Sequence, residues 1–79
     1  MALEERIYEV FREIFDNPAL VVTPVTAPSD IDGWDSVAQL KLVLAMEETF
    51  GVRLAADELT SISKVGDFAG ILRKHGVAA

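Results

Sequence analysis

The sequence contains no cysteine in its 79 residues, and it is poor in basic side chains. Without cysteine the chain has neither a disulfide framework nor a thiolate metal site, so any thiol chemistry has to come from an attached group. Seven Lys and Arg residues stand against 13 Asp and Glu residues, which gives a formal net charge of −6. This imbalance argues against binding to nucleic acid or anionic membrane surfaces, and it predicts partner proteins with basic patches.

A targeting signal and a membrane span are also missing from the sequence. The N-terminus, Met1-Ala2-Leu3-Glu4-Glu5, lacks the basic start and the apolar run of a signal peptide. No apolar stretch approaches the roughly 20 residues that cross a bilayer. We therefore expect a cytoplasmic protein without a membrane span. Its length and its hydrophobic content of 51% predict a single domain, residues 1–79, that has a small core and acts as a monomer.

Hydrophobic periodicity predicts two helices in the first 50 residues. Apolar side chains recur at helical spacing over about residues 3–16, and this helix should stop before Pro18. A second helix is predicted from about Ser36 to Phe50. Asp35 is a suitable N-cap for it, because its carboxylate can accept free backbone N–H groups, and Gly51 is suited to end it in the left-handed conformation.

A long loop, residues 17–35, separates these two helices, and loops of this length tend to be functional. Its apolar residues predict that it packs across the core: Leu20, Val21, Val22, Val25 and Ile31. Residues 56–60 are expected to form a short helical turn. A last helix should begin after Ser63 as its N-cap and stop at Gly76. The predicted fold is all-α, a three-to-four-helix bundle with an unusually long first loop.

Catalytic and metal-binding motifs do not fit the sequence. Ser36 lacks the glycine spacing of a nucleophile elbow, and the one histidine, His75, is interpreted as a cation at a helix end. Asp30, Asp32 and Asp35 suggest a calcium loop, but the positions that need a glycine and a final glutamate hold other residues. We therefore predict that the protein is not an enzyme and holds no metal.

Three sequence runs remain, and they resemble the acyl carrier proteins. Asp35-Ser36-Val37 resembles the Asp-Ser-Leu triplet that opens the second helix of that family. Met46-Glu47-Glu48-Thr49-Phe50-Gly51-Val52 resembles the run that closes the same helix. Ser63-Lys64-Val65-Gly66-Asp67 is similar to the opening of the family's last helix. The resemblance covers nearly the whole chain and is strongest over residues 32–54.

The resemblance implies a cofactor and an attachment site. In the family the serine is esterified by 4′-phosphopantetheine, whose terminal thiol carries the acyl group as a thioester. By position, Ser36 would be the attachment site and Asp35 the adjacent acid. A separate phosphopantetheinyl transferase, with coenzyme A and Mg²⁺, would activate the hydroxyl, since nothing beside Ser36 in the sequence looks able to do so. The alternative interpretation is that Ser36 is a second N-cap residue.

Three departures from the family pattern favour a dedicated carrier for a specialised pathway over housekeeping fatty-acid synthesis. Ala38 and Lys41 occupy positions where fatty-acid-synthesis carriers usually have acids. Trp34 replaces a small or aliphatic residue and is interpreted as a cover of the core. Two other functions stay open: an aminoacyl or peptidyl carrier that uses the same arm, and an unmodified helical interaction module.

The second helix has more apolar residues than one buried stripe needs. Leu42, Val43, Met46 and Phe50 share one side of the helix and are predicted to face the core. A second group of apolar and charged residues is predicted to bind partner enzymes: Val37, Leu40, Lys41, Leu44, Glu47 and Glu48. The alternative is that the bundle surrounds the helix and buries both apolar groups.

Overall fold

Four α-helices make up most of the computed structural model, which describes residues 2–77. They are α1 (Leu3–Ile14), α2 (Ser36–Phe50), α3 (Ala56–Thr60) and α4 (Val65–Lys74). A single 3₁₀ turn, Pro28–Asp30, lies in the long loop between α1 and α2. No strand occurs within residues 2–77. The predicted all-α bundle with a long first loop is confirmed.

Helix α1 is shorter than the predicted range of 3–16, because the chain turns before Pro18 is reached. Phe15 is the C-cap, and Asp16 adopts a left-handed backbone conformation with φ 49°. The N–H of Asn17 then donates to the carbonyl of Arg12 over 2.9 Å, which closes the turn. The local turn therefore ends the helix earlier than the proline rule alone predicts.

The bounds of α2 agree with the prediction, and so do its two ends. The Asp35 carboxylate accepts a hydrogen bond from the N–H of Ala38 over 2.9 Å. At the other end Gly51 adopts the left-handed conformation, with φ 67° and ψ 37°, which costs glycine little because it has no Cβ. Both predicted caps of α2 are confirmed.

The two apolar groups of α2 have different exposures. Leu42, Val43 and Met46 are buried and Phe50 is half-buried. Exposed fractions of the second group are high: 61% for Val37, 58% for Leu40 and 55% for Leu44. The bundle therefore does not surround α2, and the alternative in which both groups are buried is wrong.

The long loop packs on the core through only part of its apolar residues. Val22 and Ile31 are buried and Leu20 is half-buried, as expected. Val21 and Val25 are 80% and 74% exposed, so the prediction for these two valines is wrong. In extended chain successive side chains point to opposite sides, and Val21 therefore faces away when its neighbour Val22 faces inward.

The same loop is attached to the start of α4. The N–H of Val65 donates to the carbonyl of Thr26 over 2.9 Å, and that of Gly66 donates to the carbonyl of Pro24 over 2.8 Å. A Cβ on Gly66 would lie 2.9 Å from the Pro24 carbonyl oxygen, so a larger residue would push the loop away. These bonds occupy N–H groups that a helix leaves without intrahelical partners.

Ser63 is not the N-cap of α4, and this prediction is corrected. The cap position is held by Lys64, and the capping group is the carboxylate of Asp67 inside the first turn. That carboxylate accepts hydrogen bonds from the N–H groups of Ser63 and Lys64 over 2.8 and 3.1 Å. The Ser63 hydroxyl donates to it as well, over 3.1 Å. The predicted stop at Gly76 agrees with its φ of +88°.

An aromatic cluster joins the loop to two helices in the core. The Phe11 ring packs edge-on against Trp34 and Phe68, with centroid separations of 5.2 and 5.7 Å. Trp34 is 8% exposed, so its predicted position as a cover of the core is confirmed. Because Trp34 lies two residues before Ser36, this cluster fixes the end of the loop from which α2 begins.

The cap of α4 predicts how stability changes in acid. Hydrogen bonds from the Ser63 backbone, followed by those from its hydroxyl and from Lys64, lower the pKa of Asp67 below its ordinary value of 3.8. A carboxyl group with a lowered folded pKa stabilises the fold above its ordinary pKa, and this stabilisation is lost as pH falls through the folded pKa. Asp67→Asn should therefore lower Tm near pH 7, and the difference from wild type should shrink below pH 3.8.

Thermal unfolding followed by circular dichroism from pH 7 to pH 2 measures this difference. Asp57→Asn is the matched control. Asp57 is an exposed acid in the first turn of α3, and its replacement by Asn removes the same charge. A Tm deficit of Asp67→Asn that stays constant over the whole pH range would show that the carboxylate charge is irrelevant.

Candidate functional site

Ser36 is the first residue of α2, and its side chain is exposed. The loop reaches it through a turn in which Gly33 has φ 86° and the N–H of Asp35 donates to the carbonyl of Gly33 over 3.0 Å. Asp35, not Ser36, occupies the N-cap and provides the capping oxygen. Among the residues that the structure describes, none accepts or donates a side-chain hydrogen bond with Ser36. Its hydroxyl is therefore accessible and is not needed to cap the helix.

The start of α2 favours a phosphate ester on Ser36. The first N–H groups of a helix have no intrahelical acceptor, and the helix dipole places partial positive charge at this end. In α2 the Asp35 carboxylate occupies the N–H of Ala38, while the N–H groups of Ser36 and Val37 precede it in the first turn. An anion bound covalently at the Ser36 hydroxyl would lie beside these donors. The residues present thus fit a phosphodiester.

A shallow groove of about 320 Å³ opens beside Ser36. Its lining comes from the loop, from the first turn of α2 and from α3 with the turn that follows: Pro28, Trp34, Asp35, Ser36, Gln39, Leu59 and Ile62. On its floor the indole Nε1–H of Trp34 donates to Oε1 of Gln39 over 2.7 Å. The groove combines apolar walls with an amide group, next to the exposed hydroxyl.

Sequence reasoning missed Gln39, Leu59 and Ile62 as neighbours of Ser36. Gln39 lies three residues after Ser36 on the same helix, so helical spacing alone was a sufficient signal to find it. Leu59 and Ile62 lie more than 20 residues away in the sequence and reach the groove because α3 packs there. No local pattern contains that information.

The one histidine, His75, is not among the residues that line the groove beside Ser36, and it contacts Glu58. Nε2 of His75 lies 2.8 and 3.0 Å from the two carboxylate oxygens of Glu58. The hydrogen bond from the N–H of Ala55, and then that from His75, lowers the pKa of Glu58. His75 therefore joins the end of α4 to the start of α3, and its ring is already engaged there.

Three acids of the loop and of α2 are engaged with backbone groups. Besides Asp35, the carboxylates of Asp30 and Glu47 accept the N–H groups of Ala27 and Leu54, each over 2.9 Å. Across residues 2–77, no three His, Asp or Glu side chains come together in a way that would hold a metal ion. Nor is any helix in that part of the chain long and apolar enough to cross a membrane.

The predicted partner-binding residues lie along one side of α2, beyond Ser36. Val37, Leu40 and Leu44 follow one another at helical spacing and are all more than half exposed. Lys41 and Glu48 are exposed on the same helix. Glu47 is predicted to face partner enzymes, but it is half-buried. One of its carboxylate oxygens accepts a hydrogen bond from the N–H of Leu54, in the chain that follows α2. The structure thus gives an apolar stripe with charges beside it, which we call the α2 stripe (Val37, Leu40, Leu44).

Comparisons with known proteins agree with this arrangement. A family model described as the phosphopantetheine attachment site matches residues 5–72. The acyl carrier protein of Helicobacter pylori is 33% identical over 78 residues, which cover 99% of this chain and 100% of that protein. The acyl carrier protein of Acidothermus cellulolyticus is 32% identical over 71 residues, covering 90% of this chain and 84% of that protein.

A solved structure is similar as well. The solution NMR structure of the holo acyl carrier protein from Geobacter metallireducens matches with a TM-score of 0.86 at 32% identity. The match covers 94% of this chain and 85% of that one. The chain therefore belongs to the acyl carrier protein family, whose members are carriers with covalently attached 4′-phosphopantetheine and are not enzymes.

Proposed function

We propose that Ser36 is the attachment site and that the chain carries acyl groups, as thioesters on the attached arm, between enzymes in the cytoplasm. The main support is the environment of Ser36. Its side chain is exposed at the first position of α2, and Asp35, not Ser36, caps the helix. Acyl cargo is preferred to aminoacyl or peptidyl cargo because the named relatives are acyl carrier proteins.

The loading step needs a second enzyme. The Ser36 oxygen forms a bond to the phosphorus that bears the pantetheine of coenzyme A, and the pyrophosphate P–O bond breaks. Adenosine 3′,5′-bisphosphate leaves with the electron pair, and the serine proton passes to a base on the phosphopantetheinyl transferase. This chain supplies the accessible hydroxyl and the helix N-terminus, while the transferase and its Mg²⁺ supply activation. When attached, the group contributes the thiol that the sequence lacks.

We infer that the α2 stripe is the surface that partner enzymes contact when they approach the arm. A small apolar contact next to Ser36 excludes water, and Lys41 and Glu48 beside it restrict which partners fit. The acids of the chain favour partners with basic patches, so association should weaken as salt rises. Lys41, where an acid is usual in fatty-acid-synthesis carriers, favours partners from a specialised pathway. Ala38 is buried, so it offers partners no side chain in place of the usual acid.

Replacing Ser36 tests the attachment site directly. After treatment with a broad-specificity phosphopantetheinyl transferase, coenzyme A and Mg²⁺, the wild type should gain the mass of one phosphopantetheine. Ser36→Ala should gain none and should keep a Tm close to wild type, because its hydroxyl caps nothing. Intact-mass spectrometry measures both. Ser29→Ala, which removes another exposed hydroxyl, is the control and should be modified like wild type. An unmodified wild type with several such transferases would refute the proposal.

Two substitutions in α2 separate the stripe from the core. Met46→Ser should destabilise the fold by roughly 2–5 kcal/mol, since it removes a fully buried side chain and buries a hydroxyl. Leu44→Ser should change stability by about 0.5 kcal/mol or less, but lower kcat/KM of cognate acyl transfer by roughly tenfold. Thermal unfolding and transfer assays on both holo variants measure these effects. Equal losses of Tm, or undiminished transfer by Leu44→Ser, would contradict the assignment.

Charge at Lys41 is expected to select partners. Lys41→Glu should lower KM with fatty-acid-synthesis enzymes roughly 1.5–5-fold, because exposed ion pairs contribute about 0.2–1 kcal/mol. Lys74→Glu makes the same charge change in the last turn of α4, a different helix from the one that carries the α2 stripe, and should have little effect on KM. Steady-state kinetics at low and at high salt compare them. An unchanged KM for Lys41→Glu would show that Lys41 does not discriminate.

A further inference from the structure

We propose that Gln39, oriented by Trp34, binds the arm on Ser36 by donating hydrogen bonds from its side-chain amide to the phosphodiester. The inference rests on the proposed function, because it requires the arm on Ser36. Covalent attachment of the arm needs only the Ser36 hydroxyl. The inference assigns a second residue, Gln39, that binds the arm after it is attached. The groove beside Ser36 is the place of this contact.

The orientation of the Gln39 amide follows from its partner. An indole N–H can only donate, so the atom of Gln39 that lies 2.7 Å from Nε1 of Trp34 must be the carbonyl oxygen. The two N–H bonds of the same amide then point away from the indole. Trp34 is itself fixed, being 8% exposed and packed edge-on against Phe11. A buried, rigid side chain thus holds the amide in one orientation.

This oriented amide lies on the Ser36 side of α2. Residues three apart on a helix have Cβ atoms about 5–6 Å from each other, and long helical side chains lean toward the N-terminus of their helix. Both facts place the Gln39 amide over the turn that begins with Ser36, and Gln39 and Ser36 line the same groove. A phosphate oxygen on Ser36 is therefore within reach of the amide donors.

The rest of the groove suits the next part of the arm. Pro28, Leu59 and Ile62 provide apolar walls for the dimethyl-substituted carbons that follow the phosphate. The occupant is the arm and not a free ligand, because its attachment point is one of the lining residues. A tethered group has an effective concentration in the millimolar range for short flexible linkers, so even a weak contact is populated.

The composition of the chain allows a clean test by NMR. Gln39 and Asn17 are the two side-chain carboxamides in the sequence, and Trp34 is the one tryptophan. In the ¹⁵N-labelled protein the Gln39 amide pair and the Trp34 indole N–H should shift between the apo and holo forms, while the Asn17 pair should stay in place. The arm amide nearest the phosphate should be ordered in holo wild type, with an order parameter above about 0.6.

Gln39→Glu is the variant that removes the donors without disturbing Trp34. A carboxylate oxygen still accepts the indole N–H, but the second oxygen repels the phosphodiester, so the arm should become flexible, with an order parameter below about 0.6. Thr49→Glu introduces the same charge at an exposed position three turns along α2 and should leave the arm ordered. Intact mass confirms that each variant carries the arm before it is compared.

The outcomes separate this inference from the proposed function. If wild type gains no mass, the attachment at Ser36 fails. If it gains the arm but the Gln39 amide pair does not shift, Gln39 only supports Trp34 and the inference is wrong. Equal arm order in wild type and Gln39→Glu also overturns it. The comparison of apo and holo wild type needs no variant, so a poorly folded Gln39→Glu leaves the test intact.

Discussion

Carboxylates that accept backbone N–H groups hold the joints of this domain in place. Asp35 caps α2, Glu58 binds the N–H of Ala55 at the start of α3, and Asp67 binds two N–H groups ahead of α4. Asp30 does the same at the 3₁₀ turn, and Glu47 fixes the chain after α2. The bonds of Asp35, Glu58 and Asp67 are charge-assisted, and they lie at or directly before the start of a helix, where backbone donors lack partners within the helix. Short helices and long connections thereby acquire defined ends.

The acidity of the chain therefore has two physical uses. The hydrogen bond from the N–H of Ala55, and then that with His75, lowers the pKa of Glu58, while hydrogen bonds from Ser63 and then Lys64 lower the pKa of Asp67. These bonds tie the fold to the ionised form of both carboxylates. Asp32, Glu48 and Asp57 lie exposed and contribute to the field that basic partners meet. High salt screens this exposed field much more than it screens the capping bonds, so recognition should be more sensitive to salt than folding is.

Helix α2 carries both the capping bond of Asp35 and the residues of the candidate site. Its buried side packs Leu42 and Met46 into the core, which fixes the helix, and its cap leaves Ser36 free at the first position. Trp34 extends the core to the base of the groove and orients Gln39 there. The hydroxyl, the helix N-terminus and the oriented amide are thus all positioned by packing that does not involve the arm.

By itself the sequence determined the bounds of α2, both of its caps and the position of Ser36, because capping and helical periodicity act over a few residues. It also divided the apolar residues of α2 correctly into a buried and an exposed group. The cap of α4 at Asp67 instead of Ser63 is a local contact over three and four residues, which a capping rule could have located from the sequence. Tertiary structure decided which valines of the loop face inward. It also brought Leu59 to the groove beside Ser36. These features depend on contacts between segments far apart in the chain, and such contacts leave no local pattern.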